Sequence, residues 1–403
     1  MASDITGNRA LGAYGITIFT TMSALAIEHN AINLGQGFPD EEGPLDIRQA
    51  AADALLNGSN QYPPAPGIPA LRQAVADHDK RFYGYDHVTP DHVLVCSGAT
   101  EALTAALMGL LNPGDEVVLF EPLYDSYLPI IEQIGAVPRL VKLCPPDWAV
   151  PTAALEAAFS DKTKLVVLNS PMNPTGKLFT DEELEAIAAL CVRHQVPALC
   201  DEVYEHLVFD GQHHTPLMSF EGMADLAIRV GSAGKTFSLT GWKVGYITAA
   251  PYLIDMIGKA HQFLTFTTPP DLQTAVAYGL GKPDGYFKEL TSDLQGKRDR
   301  LADGLREVGF IVHPAAGTYF LTADYAPLME RLGIDEPAAA FCERMTRDAG
   351  VAAVPVSAFY APERVSGTPL PEEVRTVVRF CFSKRHEVLD EAVKRLAAYV
   401  ERG

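Results

Sequence analysis

Residues 231–246 read Gly-Ser-Ala-Gly-Lys-Thr-Phe-Ser-Leu-Thr-Gly-Trp-Lys-Val-Gly-Tyr. One lysine, Lys235, sits among small residues, and a second cation, Lys243, follows on the same stretch. A lysine amine condenses with an aldehyde to give a Schiff base. Crowding and a neighbouring positive charge make it lose its proton more readily. Ser232 and Lys243 are both suited to holding a phosphate. An aldehyde carrying a phosphate points to pyridoxal 5'-phosphate (PLP). A solvated surface lysine is the plain alternative, so the weight falls on what the rest of the chain supplies.

It supplies a candidate for each part of such a ligand. Ser97-Gly98-Ala99-Thr100 joins a strand-like run to a helix start, where small residues let backbone N–H groups approach an anion at the positive helix end. An ordinary glycine turn reads the same way. A G-x-G-x-x-G fingerprint is absent here, which weighs against a nicotinamide oxidoreductase. The pyridine ring needs a carboxylate beside its nitrogen to keep it protonated. Asp201, in Leu-Cys-Asp-Glu-Val-Tyr, is the candidate, with Tyr204 and Asn173 for the phenolic oxygen and Tyr124 to stack on the ring. A helix cap or solvated loop acid is the alternative for Asp201, and core packing for Tyr124. Arginine grips a carboxylate with two donors. Arg379 interrupts the apolar run Val-Val-Arg-Phe-Cys-Phe, where a guanidinium is costly unless it meets an anion. That anion is either a substrate carboxylate or a structural ion-pair partner.

The elements that must position these residues are legible as short apolar runs alternating with helical patterns. The runs are 93–96, 116–120, 164–169, 196–201, 227–231 and 243–249, of the kind buried on both faces of a parallel sheet. Ala99 to Leu110 has a helical apolar face ending at Asn112-Pro113-Gly114. Thr180-x-x-Glu183 is a capping box with Phe179 and Leu184 placed as its staple. The fold class is therefore α/β, with a mostly parallel central sheet. The runs end in Ser97, Glu121, Asn169, Asp201 and Ser232, and sites in open α/β sheets form at the carboxyl ends of strands. These ends are expected to converge on one crevice. From about residue 285 the pattern changes to amphipathic helices and shorter strands at 318–323 and 377–381. The expected division is an N-terminal arm shared with the small domain (1–45), a large domain (46–284) and a smaller α+β domain (285–403).

The chain has 403 residues and a formal net charge of -19, which disfavours a nucleic-acid or anionic-membrane surface. Six scattered cysteines without C-x-x-C spacing read as reduced core residues rather than a disulfide frame or zinc site, and no metal ligand set is expected. The first residues show no signal pattern and no run is long enough for a membrane helix, so a cytoplasmic protein is expected.

Seven segments in this order resemble the fold-type I, class I/II PLP-dependent aminotransferases: Asn33-Leu-Gly-Gln-Gly-Phe-Pro-Asp40, Gln61-Tyr62, Ser97-Gly-Ala-Thr100, Asn173-Pro-Thr-Gly176, Asp201-Glu-Val-Tyr204, Ser232–Lys243 and Arg379-Phe-Cys-Phe382. The texture is similar to the kynurenine/glutamine/methionine aminotransferases, cysteine-S-conjugate β-lyases and succinyldiaminopimelate aminotransferases. The resemblance implies Lys235 as Schiff-base lysine and proton shuttle, Asp201 on the pyridinium, and Tyr204 and Asn173 on the phenolic oxygen. It implies Gly98, Ala99, Thr100, Ser232 and Lys243 around the phosphate, and Tyr124 on the ring face. Tyr62 would reach the phosphate of a neighbouring subunit, making a homodimer with shared active sites the functional unit. Gly37, through its backbone, and Arg379 would bind the substrate carboxylate. Amino acids and 2-oxo acids are the implied substrates in a ping-pong amino transfer, with β-elimination as the alternative outcome. Side chains in 16–20, 266–269 and 357–360 are expected to set specificity.

Overall fold

The computed structural model describes residues 7–402. The first residues, from which no signal pattern was read, and the start of the expected N-terminal arm lie outside the described residues. The central sheet has seven strands: β1 (Val93–Cys96), β2 (Glu116–Glu121), β3 (Val137–Lys142), β4 (Thr163–Asn169), β5 (Ala198–Asp201), β6 (Ala227–Ser232) and β7 (Gly245–Thr248). Their spatial order is β1-β7-β6-β5-β4-β2-β3. Neighbours from β3 across to β6 run parallel, while β7 is antiparallel to both β6 and β1. The fold is α/β with a mostly parallel sheet, as the apolar runs imply.

Both faces of that sheet are buried, and the period of two along each strand divides its side chains between separate cores. Val117, Leu119, Leu165 and Val167 enter one apolar cluster, while Val118, Phe120, Val166 and Leu168 enter another. Helices make the crossovers: Ala99–Leu110 from β1 to β2, Tyr127–Ile134 from β2 to β3, Thr152–Ala158 from β3 to β4 and Asp181–His194 from β4 to β5. The last begins in the expected capping box. Thr180 Oγ1 accepts from Glu183 N, and a Glu183 carboxylate oxygen accepts from Thr180 N. Phe179 and Leu184 are buried in the same cluster, as a staple requires.

The edge strand β3 is the element the apolar runs do not reveal. Only β2 pairs with it, and its first four residues alternate between exposed and partly covered before the buried Val141. β7 departs from the parallel pattern in a way that matters for the site. Since it runs backwards, its beginning lies beside the carboxyl ends of β1 and β6, with Gly245 opposite Cys96 and Ser232. The residues just before it, Lys243 and Val244, are thereby delivered to the same edge.

A second, four-stranded antiparallel sheet has β8 (Ile311–Val312), β9 (Phe320–Asp324), β10 (Val354–Pro355) and β11 (Val377–Cys381) in the order β10-β11-β9-β8. Arg379 stands on the inner strand β11, opposite Thr322 on β9 and Val354 on β10. Ile32–Asn33 pairs in parallel with Val351–Ala352, which ties the early chain to the late chain. Among the described residues no helix is long and apolar enough to cross a membrane. The six cysteines are free thiols, five of them buried.

Candidate active site

A cavity of about 510 Å³ opens at the carboxyl edge of the central sheet and is closed from the other side by Arg379, Phe320 and the segment Gln36–Phe38. Its walls include Gly37, Gly98, Ala99, Thr100, Tyr124, Asn173, Asp201, Tyr204, Ser232, Lys235, Lys243 and Arg379. Every expected site residue except Tyr62 is therefore brought to one place.

One end is cationic and rich in backbone donors. Gly98 leaves β1 at φ +83°, a conformation that favours glycine, and caps the helix Ala99–Leu110. Its neighbour across the turn is the Lys243 side chain. A Cβ at Gly98 would lie 3.1 Å from Lys243 Cε and 3.3 Å from Nζ. Gly245 closes the cradle from β7, because a Cβ there would sit 2.7 Å from Ala99 N. The first N–H groups of a helix have no intrahelical partner. Here they share a cavity wall with Ser232 and Lys243, a donor set matched to a phosphate.

The opposite wall holds Asp201 at the end of β5. Tyr127 OH donates to its Oδ2 at 2.6 Å, while Oδ1 is buried without a partner. Burial pushes its pKa up to about 6, opposed by the Tyr127 hydrogen bond. A carboxylate kept there at neutral pH calls for a cationic or N–H partner, which a protonated pyridine supplies. The strand register places Asn169 beside Asp201. Asn169 Nδ2 donates to the Asp201 carbonyl at 2.8 Å, and Asn169 Oδ1 accepts from Asn173 N at 2.7 Å. Asn173 is thus held at a fixed offset from Asp201.

Between these ends stands Lys235, on the short helix Ala233–Thr236 that follows β6. Burial lowers its pKa to about 8. Lys235 Nζ donates to Tyr319 OH at 2.5 Å, and Tyr319 OH donates to the Gly37 carbonyl at 2.6 Å. The Tyr204 ring stands edge-on to Tyr319, with centroids 5.2 Å apart. Gly37 has to be small: a Cβ would come within 2.5 Å of Phe320 Cζ.

Arg379 is buried, yet no carboxylate pairs with it among the described residues. Nη1 donates to Asn173 Oδ1 at 2.8 Å, Nη2 to the Gly35 carbonyl at 2.6 Å, and Nε has no partner. Its Cζ lies 3.9 Å from the Phe320 ring centroid and 4.9 Å from that of Phe359. Burial lowers its pKa to about 10. The structural ion pair that the sequence leaves open is not formed. The guanidinium is charged, neutral groups hold it, and it lines the cavity, an arrangement suited to an anion.

The expected convergence of the strand ends is corrected at two positions. Ser97 and Glu121 end their strands but do not reach the cavity. Ser97 Oγ lies 3.0 Å from Thr268 Oγ1, and Glu121 Oε1 accepts from Ala361 N at 2.5 Å, so both are used in packing loops. Of the segments expected to set specificity, Phe19 lines the cavity, but Tyr360 donates to the Leu143 carbonyl in the interior. Tyr62 is 84% exposed and stacks edge-on with Phe266, away from this chain's cavity. Sequence reasoning missed Tyr319, Tyr127, Asp125 and Phe320. The spacing of Tyr124 and Tyr127, three apart where a helix begins, was an available signal for Tyr127. Nothing local singles out Tyr319, whose partners lie more than eighty residues away.

The profile of the family described as "Aminotransferase class I and II" matches residues 29–396. The chain is 45% identical over 394 residues to a probable N-succinyldiaminopimelate aminotransferase DapC of Mycobacterium tuberculosis, covering 97% of this chain and 98% of that one. It is 38% identical over 382 residues to the methionine aminotransferase of Escherichia coli, covering 95% of each. The solved structure of the M. tuberculosis N-succinyldiaminopimelate aminotransferase superposes with a TM-score of 0.91 at 44% identity, over 98% of this chain and all of that one.

Proposed function

Because the chain belongs to the class I and II aminotransferases, enzymes that work with PLP, we propose that Lys235 carries that cofactor and the proton traffic of an amino transfer from an L-amino acid to a 2-oxo acid. The observation that carries this reading is the buried, unpartnered Oδ1 of Asp201 in the cavity that also holds Lys235, Lys243 and an unpaired Arg379.

The residues fit the group. Asp201 Oδ1 would take the pyridine N–H. Tyr204 OH and Asn173 Nδ2 would hold the phenolic oxygen, since Asn173 Oδ1 and main-chain N are already used. Tyr124 would cover one ring face. Ser232, Lys243 and the backbone of Gly98, Ala99 and Thr100 would hold the phosphate. Tyr62, exposed here, would reach the phosphate of a second copy, which supports a homodimer. When bound, the cofactor supplies an aldehyde carbon for imine exchange and a ring that takes up the electron pair left by a departing α-proton.

The chain's own groups do the rest. Arg379 Nη atoms and the Gly37 backbone orient the substrate α-carboxylate, with Phe320 and Phe359 keeping water from the guanidinium. Lys235 Nζ, depressed to about 8, is neutral often enough to take the α-proton and return one on the same face. Tyr319 anchors Nζ while it is not bonded to the cofactor. Ping-pong transfer follows, because one site serves donor and acceptor in turn. We read 46–284 as the large cofactor-binding domain, 1–45 as an N-terminal arm and part of the small domain, and 285–403 as the small domain that carries Arg379. A cytoplasmic location is consistent with the acidic composition.

The two relatives are named for different donors while sharing much of this sequence, so similarity does not carry the donor across. Phe19, Phe38 and Phe320 on the cavity wall support an amino acid with an extended apolar or aromatic part. The test is an L-amino-acid panel read as pyridoxamine-phosphate formation in single half-reactions, with borohydride trapping of wild type and Lys235→Ala. Trapping at another lysine, or pyruvate and ammonia release with no amino transfer, would overturn the reading.

A further inference from the structure

Behind the active site, on the far side of the segment that carries Asp201, lies a second set of reactive groups that the transfer does not use. Arg229 on β6 donates to three buried carboxylates: Asp79 at 2.6 Å, Glu202 at 2.6 Å and Glu205 at 3.0 Å. All four side chains are 5% exposed or less. One guanidinium faces three carboxylates, so with the surrounding histidines neutral two negative charges remain in the interior. Charges left there without a counter-ion are costly.

Three histidines surround the cluster. His78 Nε2 and His206 Nε2 share a hydrogen bond of 2.7 Å that a bound ion would replace, and His214 Nε2 lies 3.2 Å from Glu202 Oε2. His78 Nδ1 is 3.7 Å from Asp79 Oδ1. Both ring nitrogens of His214, whose side chain is 2% exposed, lack hydrogen-bond partners. Glu205 uses Oε2 for Arg229 and for the Tyr83 hydroxyl, and the described hydrogen bonds leave its Oε1 free. Ligand atoms of His78, Glu205 and His206 all lie within 4.8 Å of one another. Phe82 and Phe287 flank the imidazoles, with ring centroids 4.7 and 4.4 Å from His78 and His206 respectively. A cavity of about 710 Å³, bordered by Glu205, His206 and His214, connects the group to solvent.

We propose that His78, His206 and Glu205 bind one divalent transition-metal ion of the zinc type, with a fourth position open toward the cavity. Two imidazole nitrogens and a carboxylate oxygen are a ligand set such ions prefer. Two nitrogens on a tetrahedral ion stand about 3.3 Å apart, so the two rings part by about 0.6 Å. The ion brings two positive charges to an interior short of two, and the three carboxylates are then balanced with every histidine neutral. Asp79 and Glu202 act beyond the ligands as the acceptors facing His78 Nδ1 and His214.

The experiment is direct metal binding to the chelator-treated holoenzyme. After incubation with Zn²⁺ or Co²⁺ and desalting, wild type is expected to keep one equivalent per chain. The Co²⁺ form is expected to show the intense visible bands of a four-coordinate site, bleached by Zn²⁺. His206→Gln, on the cavity wall, and Glu205→Gln are expected to weaken retention at least ~10-fold. Retention well below one equivalent in wild type overturns the proposal, and this measurement needs no variant to fold. Equal retention in wild type and variants overturns it as well, by showing that surface histidines hold the ion.

Discussion

Replacing Arg379 with methionine separates a binding role from a structural one, because the structure predicts a large loss of activity with little change in stability. Burial holds the guanidinium at about 10 against its ordinary 12.5. A cation whose pKa falls on folding is destabilising while both states stay protonated, here by about 3 kcal/mol. That cost is present throughout neutral pH and is relieved only as pH rises through about 10. Methionine removes it and keeps an apolar chain among Phe320, Phe359 and Phe19. Against this, Asn173 Oδ1 and the Gly35 carbonyl lose their donor, at about 1–3 kcal/mol each. The two effects roughly offset, so the thermal midpoint of Arg379→Met is expected within a few degrees of wild type. Substrate binding has no such offset. Two charge-assisted hydrogen bonds to a carboxylate are worth about 1.5–3 kcal/mol each, so kcat/KM should fall about 10²- to 10³-fold, a value at the low end of that range. Single half-reactions with amino acid and with oxo acid should show the loss mainly as weaker binding. A variant that unfolds many degrees lower while its substrate dissociation constants stay unchanged would refute the argument and restore a purely structural arginine.

The other predictions draw on the same cavity. Asp201 titrates near 6, above its ordinary 3.8, so without cofactor its ionisation destabilises the fold above pH 6 by about 3 kcal/mol; cofactor-free Asp201→Asn should therefore melt higher than wild type at pH 7.5, converge with it below pH 4, and gain less from added PLP. With Lys235 near 8, the rate at which cofactor-free protein turns yellow with PLP should rise with pH to a plateau above about 8, and a rise that continues toward 10.5 would count against a depressed amine. Tyr319→Phe should lower kcat about 10-fold or more through loss of the hydrogen bond to Lys235 Nζ, at about 1.5–3 kcal/mol, and leave cofactor affinity, measured by equilibrium dialysis, near wild type. Gly98→Ala forces a Cβ against Lys243 at positive φ, so it should weaken PLP and inorganic phosphate binding together, as read by calorimetry.

Much of this molecule is legible in one dimension. The strand runs, the capped helix at Thr180 and the α/β class follow from local periodicity and turn chemistry, which act over a few residues. The order of the seven segments identified the cofactor and named the lysine, because each motif supplies one part of the same ligand and needs only its own residue types. What a string of residues cannot carry is the outcome of competition between distant groups. Whether Arg379 met a carboxylate or faced the cavity depended on β11 setting it against Phe320 and against Asn173, the latter more than two hundred residues away. Whether Ser97 or Lys243 faced the cavity depended on the reversed direction of β7. Tyr319 joined the site only because the second sheet closes over the first. The cluster of Arg229, three carboxylates and three histidines had no sequence signature, since its members come from one helix, one strand and the connection between β5 and β6. The sequence determined the local elements and the chemistry available to them. The tertiary structure decided which charges were left buried and unpaired, because burial and partnership are set by every neighbour at once.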